Sequence, residues 1–428
     1  MTVSTQSAPP QSFDLALDRL ERDARAGTTF AREAGLELRS HFQPIFSVSH
    51  GRVVGHEALL RASDARAQAV SPPQFFAGDD FPSLLWRDRL VRAMHTANWT
   101  RMNRGSQWLF LNMHPQVFLR SPQLVNDAFQ RRLFDHFGVR GEQIVIEVLE
   151  DAVRDDADFD AAVELTRSRG CLIALDDFGA GHSNFDRVWR LKPEIVKLDR
   201  SLIARAAADA SVRRVVVQMV SLLHECGALV LMEGVETESE AHVALEADAD
   251  LIQGWYFARP GPTLVAADHG QPVIDHLWAG FDHRWRDEQR GQREAIAPFQ
   301  NAIGYAAALL AAGHPFEAAA RPFLDLPGAE VCYLLGPQGH QIGENQWVQG
   351  PVSLSGTVYA PFRDTRGARW ARRPYFRQAI GSPGKVQVTR PYRTLHGTHL
   401  CITVSTAFRM PGADGGELRV VCGDLVCP

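Results

Sequence analysis

The chain has little that would mark it as secreted, membrane-embedded or coated on nucleic acid. Its six cysteines, Cys171, Cys226, Cys332, Cys401, Cys422 and Cys427, include no CxxC pair, so their spacing gives no reason to expect a zinc site. Six thiols scattered over 428 residues fit buried side chains of a reducing compartment better than a disulfide framework. No stretch reaches the ~20 apolar residues of a membrane-spanning helix. The opening "MTVSTQSAPPQSFD" is polar and lacks the apolar centre of a signal peptide. Basic charge is not in excess: 45 Lys and Arg stand against 50 Asp and Glu, a net charge of −5, and no long basic run occurs. That argues against sequence-independent binding to long nucleic acid, but not against a small anion held by metals. The expectation is a cytoplasmic protein with no membrane span.

What is present reads as folded protein, with 45% hydrophobic and 22% charged residues. The length implies two or three domains. Residues 1–35 read as a polar tail and a helical lead-in. From residue 36 strand-like segments alternate with helix-length spacers. The strand candidates are "LRSHFQPIF", "RVVGHEALLR", "QWLFLNMH", "QIVIEVLE", "LIALDDFG", "EIVKLD", "ALVLMEGV" and "LIQGWYFA". Eight strands in that alternation predict an α/β fold, a closed TIM-like (β/α)8 barrel over 36–265. The first two strands are separated only by a short "SHG" turn, which a parallel pair cannot use. The barrel is therefore a modified one with one antiparallel strand. Residues 266–298 read as a charged helical linker. Residues 299–428, where short strands alternate with glycine turns, read as a smaller α+β domain.

Polar residues fall late in the barrel strands: Glu57, Asn112, Glu147, Asp176 with Asp177, Lys197, Glu233 and Gln253. In a β/α barrel those ends converge on one mouth, where active sites form. Five carboxylates there would repel one another without cations, and hard divalent metals with oxygen ligands are the natural partners. A carboxylate shared by two ions holds a metal pair, which can activate water and stabilise a leaving oxygen. Lys197 could orient that water or neutralise charge on a phosphate. Asp176 and Asp177 would face opposite sides of a regular strand; the glycines of "FGAG" allow a bend that brings both to the mouth.

Residues 36–262, about half the chain, resemble the EAL-domain family of cyclic-di-GMP phosphodiesterases. The motifs are "QPIF", "EALLR", "LNMHP", "IEVLE", "DDFGAGHSN", "KPEIVKLDRSLI", "EGVET" and "QGWYFARP", in the family's order and spacing. The resemblance implies hydrolysis of cyclic-di-GMP to linear pGpG with two Mg²⁺ or Mn²⁺ ions. By motif position, Glu57, Asn112, Glu147 and Asp176 would hold one ion, and Asp176, Asp177 and Glu233 the other. Lys197 would position the attacking water, with Gln253 nearby, and Lys197, Glu57 and Glu233 would be the catalytic residues. Gln43, Leu59 and Arg61 would contact the dinucleotide, Arg61 through a phosphate. Glu150 would brace the "DDFGAG" loop, while Asp199 and Glu236 are weaker candidates at the mouth. His182 and Met232 replace a tyrosine and an alanine common in the family. EAL domains commonly dimerise through the barrel, so a homodimer is expected.

Two other readings compete: a non-catalytic cyclic-di-GMP receptor that signals to a protein partner, and a metal-dependent phosphodiesterase for another nucleotide. "DGGELR" (414–419) lacks the aromatic of a cyclase hairpin and reads as a glycine turn between strands. "GPQGHQIG" lacks the Lys-Ser/Thr of a phosphate loop and also reads as a hairpin. His56 and His114 fall near the mouth but read as rim or core residues. Residues 299–428 resemble, more loosely, a Cache or PAS-like sensory fold. That resemblance implies a pocket with Arg373, Tyr375 and Asp424 and an unidentified small-molecule or protein regulator. Dimerisation is the plainer role.

Overall fold

The structure is a computed structural model. It describes residues 12–427 apart from 79, 104, 154–155, 182–183, 349–364, 394–398 and 411–415. The chain divides into two compact units, 1–283 and 284–428.

The first unit opens with a helix at Ser12–Asp18 and then a hairpin of β1 (Leu20–Asp23) and β2 (Thr28–Glu33). The expected helical lead-in therefore ends early. Asp23 Oδ1 accepts the amides of Arg25 and Ala26, both at 3.0 Å, and Gly27 takes a positive φ of 68°. This Asx turn competes with the helix, and the Thr28-Thr29-Phe30 run suits the strand that follows.

The barrel strands are β3 (Leu36–Ser47) and β4 (Arg52–Ser63), then, after the two-residue β5 (Ala69–Val70), β6 (Trp108–Asn112), β7 (Ile144–Leu149), β8 (Leu172–Phe178), β9 (Ile195–Leu198), β10 (Leu229–Met232) and β11 (Leu251–Ile252). Strands β4 and β6 to β11 run parallel to their neighbours, and β3 closes the barrel antiparallel to both β4 and β11. The eight expected strands and the single reversed one are all present. The turn after β3 is too short for a crossover, whereas the parallel connections carry helices such as Phe81–Met102, Ala157–Ser168 and Ala210–Glu225.

The interior has two layers. Ile45, Phe110, Val145, Ala174, Ile195, Leu231 and Leu251, one from each of seven strands, form a single buried cluster. Gly55 stands on the eighth strand, where a Cβ would lie 3.1 Å from the Phe110 ring. Side chains two residues apart on a strand share a face. The next inward positions toward the C-terminal end are therefore Glu57, Asn112, Glu147, Asp176, Lys197, Glu233 and Gln253, with Gln43 on the reversed β3. An apolar floor thus lies beneath a polar layer. The larger apolar cluster lies between the strands and the surrounding helices.

A helix at Gln271–Ala311 runs through what was expected to be linker. Its Ile274 and Leu277 belong to the first unit's core; its Ile296, Phe299, Ile303 and Leu310 belong to the second's. The second unit is an antiparallel sheet of β12 (Ala329–Leu335), β13 (Gln341–Trp347), β14 (Gln387–Val388), β15 (Tyr392–Arg393), β16 (Leu400–Arg409) and β17 (Leu418–Val426). Its order is β13-β12-β17-β16-β14, with β15 also on β16. Helices Phe316–Leu324 and Pro374–Gly381 pack on it. "GPQGHQ" joins β12 to β13 as a hairpin, with the Gly336 amide donating to His340 O at 2.8 Å. Among the described residues no helix is long and apolar enough to cross a membrane.

Candidate active site at the barrel mouth

Lys197 is the centre of the polar layer. It is 1% exposed, and its Nζ lies 2.5 Å from Glu147 Oε1, 2.7 Å from Glu233 Oε1, 3.0 Å from Asp176 Oδ1 and 4.0 Å from Glu57 Oε1. Glu57, whose Cα pairs with Gln43 across β3 and β4, accepts from Asn112 Nδ2 at 3.1 Å and from Gln253 Nε2 at 2.9 Å. The sequence thus brings seven side chains from seven strands to one place because each follows a floor position by two residues, Gly55 in the case of Glu57 and an apolar side chain in the others.

Asp177 joins them by a backbone irregularity. The β8–β9 register shifts between Leu175 and Phe178, and Asp177 takes φ +59°, a conformation uncommon outside glycine. The bend expected from the glycines therefore starts at the aspartate itself. Gly179 continues it at φ +98°, where a Cβ would lie 2.9 Å from Leu202. As a result Asp176, Asp177 and Glu233 each present an oxygen within 4.8 Å of the others, and so do Glu57, Glu147 and Glu233. Glu233 belongs to both groups.

Were all five carboxyls ionised, one ammonium would leave four negative charges uncompensated; instead several of them hold their protons more tightly. Burial, then Glu57, holds the Glu147 carboxyl well above the usual carboxylate range. Burial raises Glu233 to about 8 despite Lys197, and burial followed by Asp176 raises Asp177. Burial alone would lower Lys197, but Asp176, Glu147 and Glu233 outweigh it and raise it well above its ordinary value. Lys197 therefore stays protonated. Glu147 Oε2 and Gln253 Oε1 are buried without a hydrogen bond among the described residues, while Glu147 Oε1 and Glu233 Oε1 face the Lys197 ammonium. Orphaned buried oxygens are costly, and a hard divalent cation with oxygen ligands is the group that fits them.

Around this centre, Leu59 is half-buried and Arg61 exposed, both on the Glu57 face of β4. Opposite Leu59 lies His41, which the sequence reading missed; burial, then Arg61, lowers its imidazole pKa. Only the cross-strand register could have found it. Glu150 accepts the Asn184 amide at 3.1 Å and pairs with Arg187 at 3.2 Å, tying down the segment after β8. Asp199 caps the helix Arg200–Ala208, accepting from the Ser201 amide at 3.0 Å, and Glu236 pairs with Arg200 at 3.2 Å. Met232 is buried core, and His182 lies outside the described residues. His56 is fully buried and its Nε2 accepts the Val265 amide at 3.3 Å; as a neighbour of Glu57 it faces away from the polar layer. His114 caps the helix Pro115–Arg120.

In the second unit the structure brings Tyr375 and Asp424 together. Asp424 Oδ1 accepts from Thr403 Oγ1 at 2.7 Å and Tyr333 OH at 3.2 Å. Tyr375 packs edge-on to Tyr333 and stacks with Tyr392. Arg373 lies 6.0 Å from the Tyr392 ring centre. Tyr333, Thr403 and Tyr392 were not singled out, because ordinary strand alternation hides them.

Comparison with known proteins agrees with the motifs. The family model described as "EAL domain" matches residues 29–260. The probable cyclic di-GMP phosphodiesterase PdeD of Escherichia coli is 28% identical over 241 residues, 55% of this chain and 44% of that protein. The cyclic di-GMP phosphodiesterase RocR of Pseudomonas aeruginosa is 26% identical over 240 residues, 54% of this chain and 60% of that protein. The chain thus spans less than two thirds of either relative. The Bacillus subtilis YkuI protein, solved with cyclic-di-GMP and calcium, shares the fold at a TM-score of 0.75 and 19% identity, covering 98% of this chain and 99% of that one. With the matched model taking in every barrel strand from β3 onward and more than half the chain, this protein belongs to the EAL-domain family.

Proposed function

We propose that the chain is a cyclic-di-GMP phosphodiesterase that hydrolyses its substrate to linear pGpG. The observation that carries this reading is the layer of five carboxylates around a buried Lys197 at the barrel mouth. The curated relatives described as cyclic di-GMP phosphodiesterases, and the cyclic-di-GMP and calcium complex of YkuI, support it.

Glu57, Asn112, Glu147 and Asp176 would hold one Mg²⁺ or Mn²⁺, and Asp176, Asp177 and Glu233 a second. A bound metal pair would supply an activated water and charge neutralisation at the phosphate. The chain's own residues do the rest. Lys197, held protonated by its carboxylates, donates hydrogen bonds and orients the water; it does not accept its proton. Glu57 is kept in place by the Asn112 and Gln253 amides. Gln43, Leu59 and Arg61 line the side of the mouth on β3 and β4, where the dinucleotide would lie; the exposed Arg61, whose Nη1 donates to Leu60 O at 3.0 Å, would turn to a phosphate. Glu150 holds the loop that carries Asp177.

In this reading the protein works in the cytoplasm, as a homodimer, and the second unit is a Cache or PAS-like module through which a small molecule or protein adjusts turnover. The test is conversion of cyclic-di-GMP by the purified chain with Mg²⁺, Mn²⁺ or chelator, followed as pGpG by chromatography. Metal-dependent product is expected. Glu57→Ala should cut it more than about 100-fold, since even the supports of metal ligands are worth 10–100-fold. Tight binding without any product in either metal would instead make the chain a receptor.

A further inference from the structure

The second unit contains a mixed cluster of side chains that the barrel chemistry does not use. Glu330 lies on β12 where its register with β17 shifts between Ala329 and Val331. His399 and Cys401 lie at the start of β16, on the other side of β17. Glu330 bridges them: its Oε1 is 2.5 Å from His399 Nε2, and its Oε2 accepts from Cys401 Sγ at 3.0 Å. A carboxylate oxygen, an imidazole nitrogen and a sulfur thus lie within 4.8 Å of one another.

We propose that Glu330, His399 and Cys401 form a transition-metal site of the zinc class, with solvent in a fourth position. The donor set decides the class of ion. Thiolate and imidazole select Zn²⁺-like ions over Mg²⁺ or Mn²⁺, and three protein ligands plus water is a regular zinc arrangement. Bond lengths of about 2.0–2.3 Å to such an ion put ligand atoms roughly 3–4 Å apart, so the contacts now at 2.5 and 3.0 Å would open slightly to admit it. The two contacts that now hold the cluster would be replaced by bonds to the metal. Cys401 gives up its thiol proton to solvent, and neutral His399 offers the Nε2 lone pair. Burial is graded to suit: Cys401 is fully buried, Glu330 partly, and His399 is exposed. That leaves one side open for entry and for the water. Cys401 is fixed by sheet pairing to Val426 and Tyr392, and Glu330 O accepts the Val348 amide at 3.1 Å, so both stand on rigid strands. The ligands are 69 and 71 residues apart in the chain, which is why cysteine spacing did not reveal them.

The test uses Co²⁺ as a spectroscopic substitute, added to the reduced full-length chain. With the barrel positions first filled by excess Mg²⁺, a thiolate-to-cobalt charge-transfer band in the near ultraviolet is expected, saturating at about one equivalent of Co²⁺ per chain and bleached by Zn²⁺. The carboxylate layer of the barrel contains no cysteine and cannot give this band, so the readout is independent of hydrolysis. Cys401→Ser should abolish it. His399→Ala, at an exposed position that leaves the sheet intact, should weaken Co²⁺ binding more than tenfold, as should Glu330→Gln. These two variants keep the test decisive if the cysteine variant fails to fold. Absence of the band from the parent chain at excess Co²⁺, its survival in folded Cys401→Ser, or unchanged affinity in His399→Ala would overturn the assignment.

Discussion

Replacing Lys197 with methionine tests the electrostatic reading of the mouth most directly. Methionine keeps much of the apolar stem and removes only the charge. The ammonium is in contact with three carboxylates at 2.5–3.0 Å and 1% exposed, so its loss leaves five carboxylates with no cation. Breaking a buried ion pair costs about 3–5 kcal/mol. In a unit of this size about 1 kcal/mol moves the midpoint by roughly 2–4 °C. The variant should therefore unfold about 10 °C lower than the parent in chelator at neutral pH. Saturating Mn²⁺ should recover part of this, since a ligand at 100 times its Kd adds about 2.7 kcal/mol. Adding Glu147→Gln to the variant should also recover stability, because burial raises that carboxyl and folding must then either strand its charge or take up a proton at neutral pH. Thermal unfolding followed by circular dichroism, with chelator and with Mn²⁺, measures all three. If the single variant matched the parent in chelator, or if Glu147→Gln made it worse, the carboxylates would not be carrying the charge assigned to them.

Other perturbations have equally definite outcomes. Burial raises Asp424 to about 7, against the donation of Thr403 and Tyr333. A folded pKa above the unfolded 3.8 means that its stabilisation is complete below about pH 4 and is lost as pH rises through 7. At 1.36 kcal/mol per pKa unit, the parent should lose up to about 4 kcal/mol relative to Asp424→Asn between pH 4 and 8; parallel denaturant titrations of the two proteins would expose any failure of that trend. At Gly254 an added Cβ would lie 1.9 Å from Val235 O and 2.4 Å from Val235 N, backbone atoms that cannot turn aside. Gly254→Ala should cost more than about 3 kcal/mol, measured by urea unfolding, and a neutral result would mean that the two segments can separate freely. Glu150→Ala should strip the Asn184 amide and Arg187 of their shared partner. It should lower turnover about 10-fold or more, with the loss in kcat, while the midpoint falls by no more than about 3 kcal/mol equivalent; unchanged kinetics would deny the loop any part in the reaction.

Much of the barrel is written in period and spacing. Eight apolar segments, the short turn after "HFQPIFSV" and the late placement of Glu57, Glu147, Asp176 and Glu233 are local features, and they suffice for strand count, strand reversal and a shared mouth. The hairpin at 20–33 was missed because its cause, the Asx turn at Asp23 and pairing with β3, competes with a helical composition that reads well in isolation. The continuity of the helix Gln271–Ala311 was missed for a similar reason: a charged stretch and an alanine-rich one look like different segments until both are seen to contribute core residues.

By itself, then, the sequence determined the order of the barrel elements, the reversed strand and the residue types two positions beyond the barrel floor, because strand periodicity is a property of neighbouring residues. Tertiary structure alone decided what those residues experience. Only there does Lys197 meet three carboxylates, does Asp177 turn through a left-handed conformation into the mouth, does His41 stand opposite Leu59, and do Glu330, His399 and Cys401 converge across β17. Distance, burial and charge belong to pairs of residues that the chain order keeps far apart.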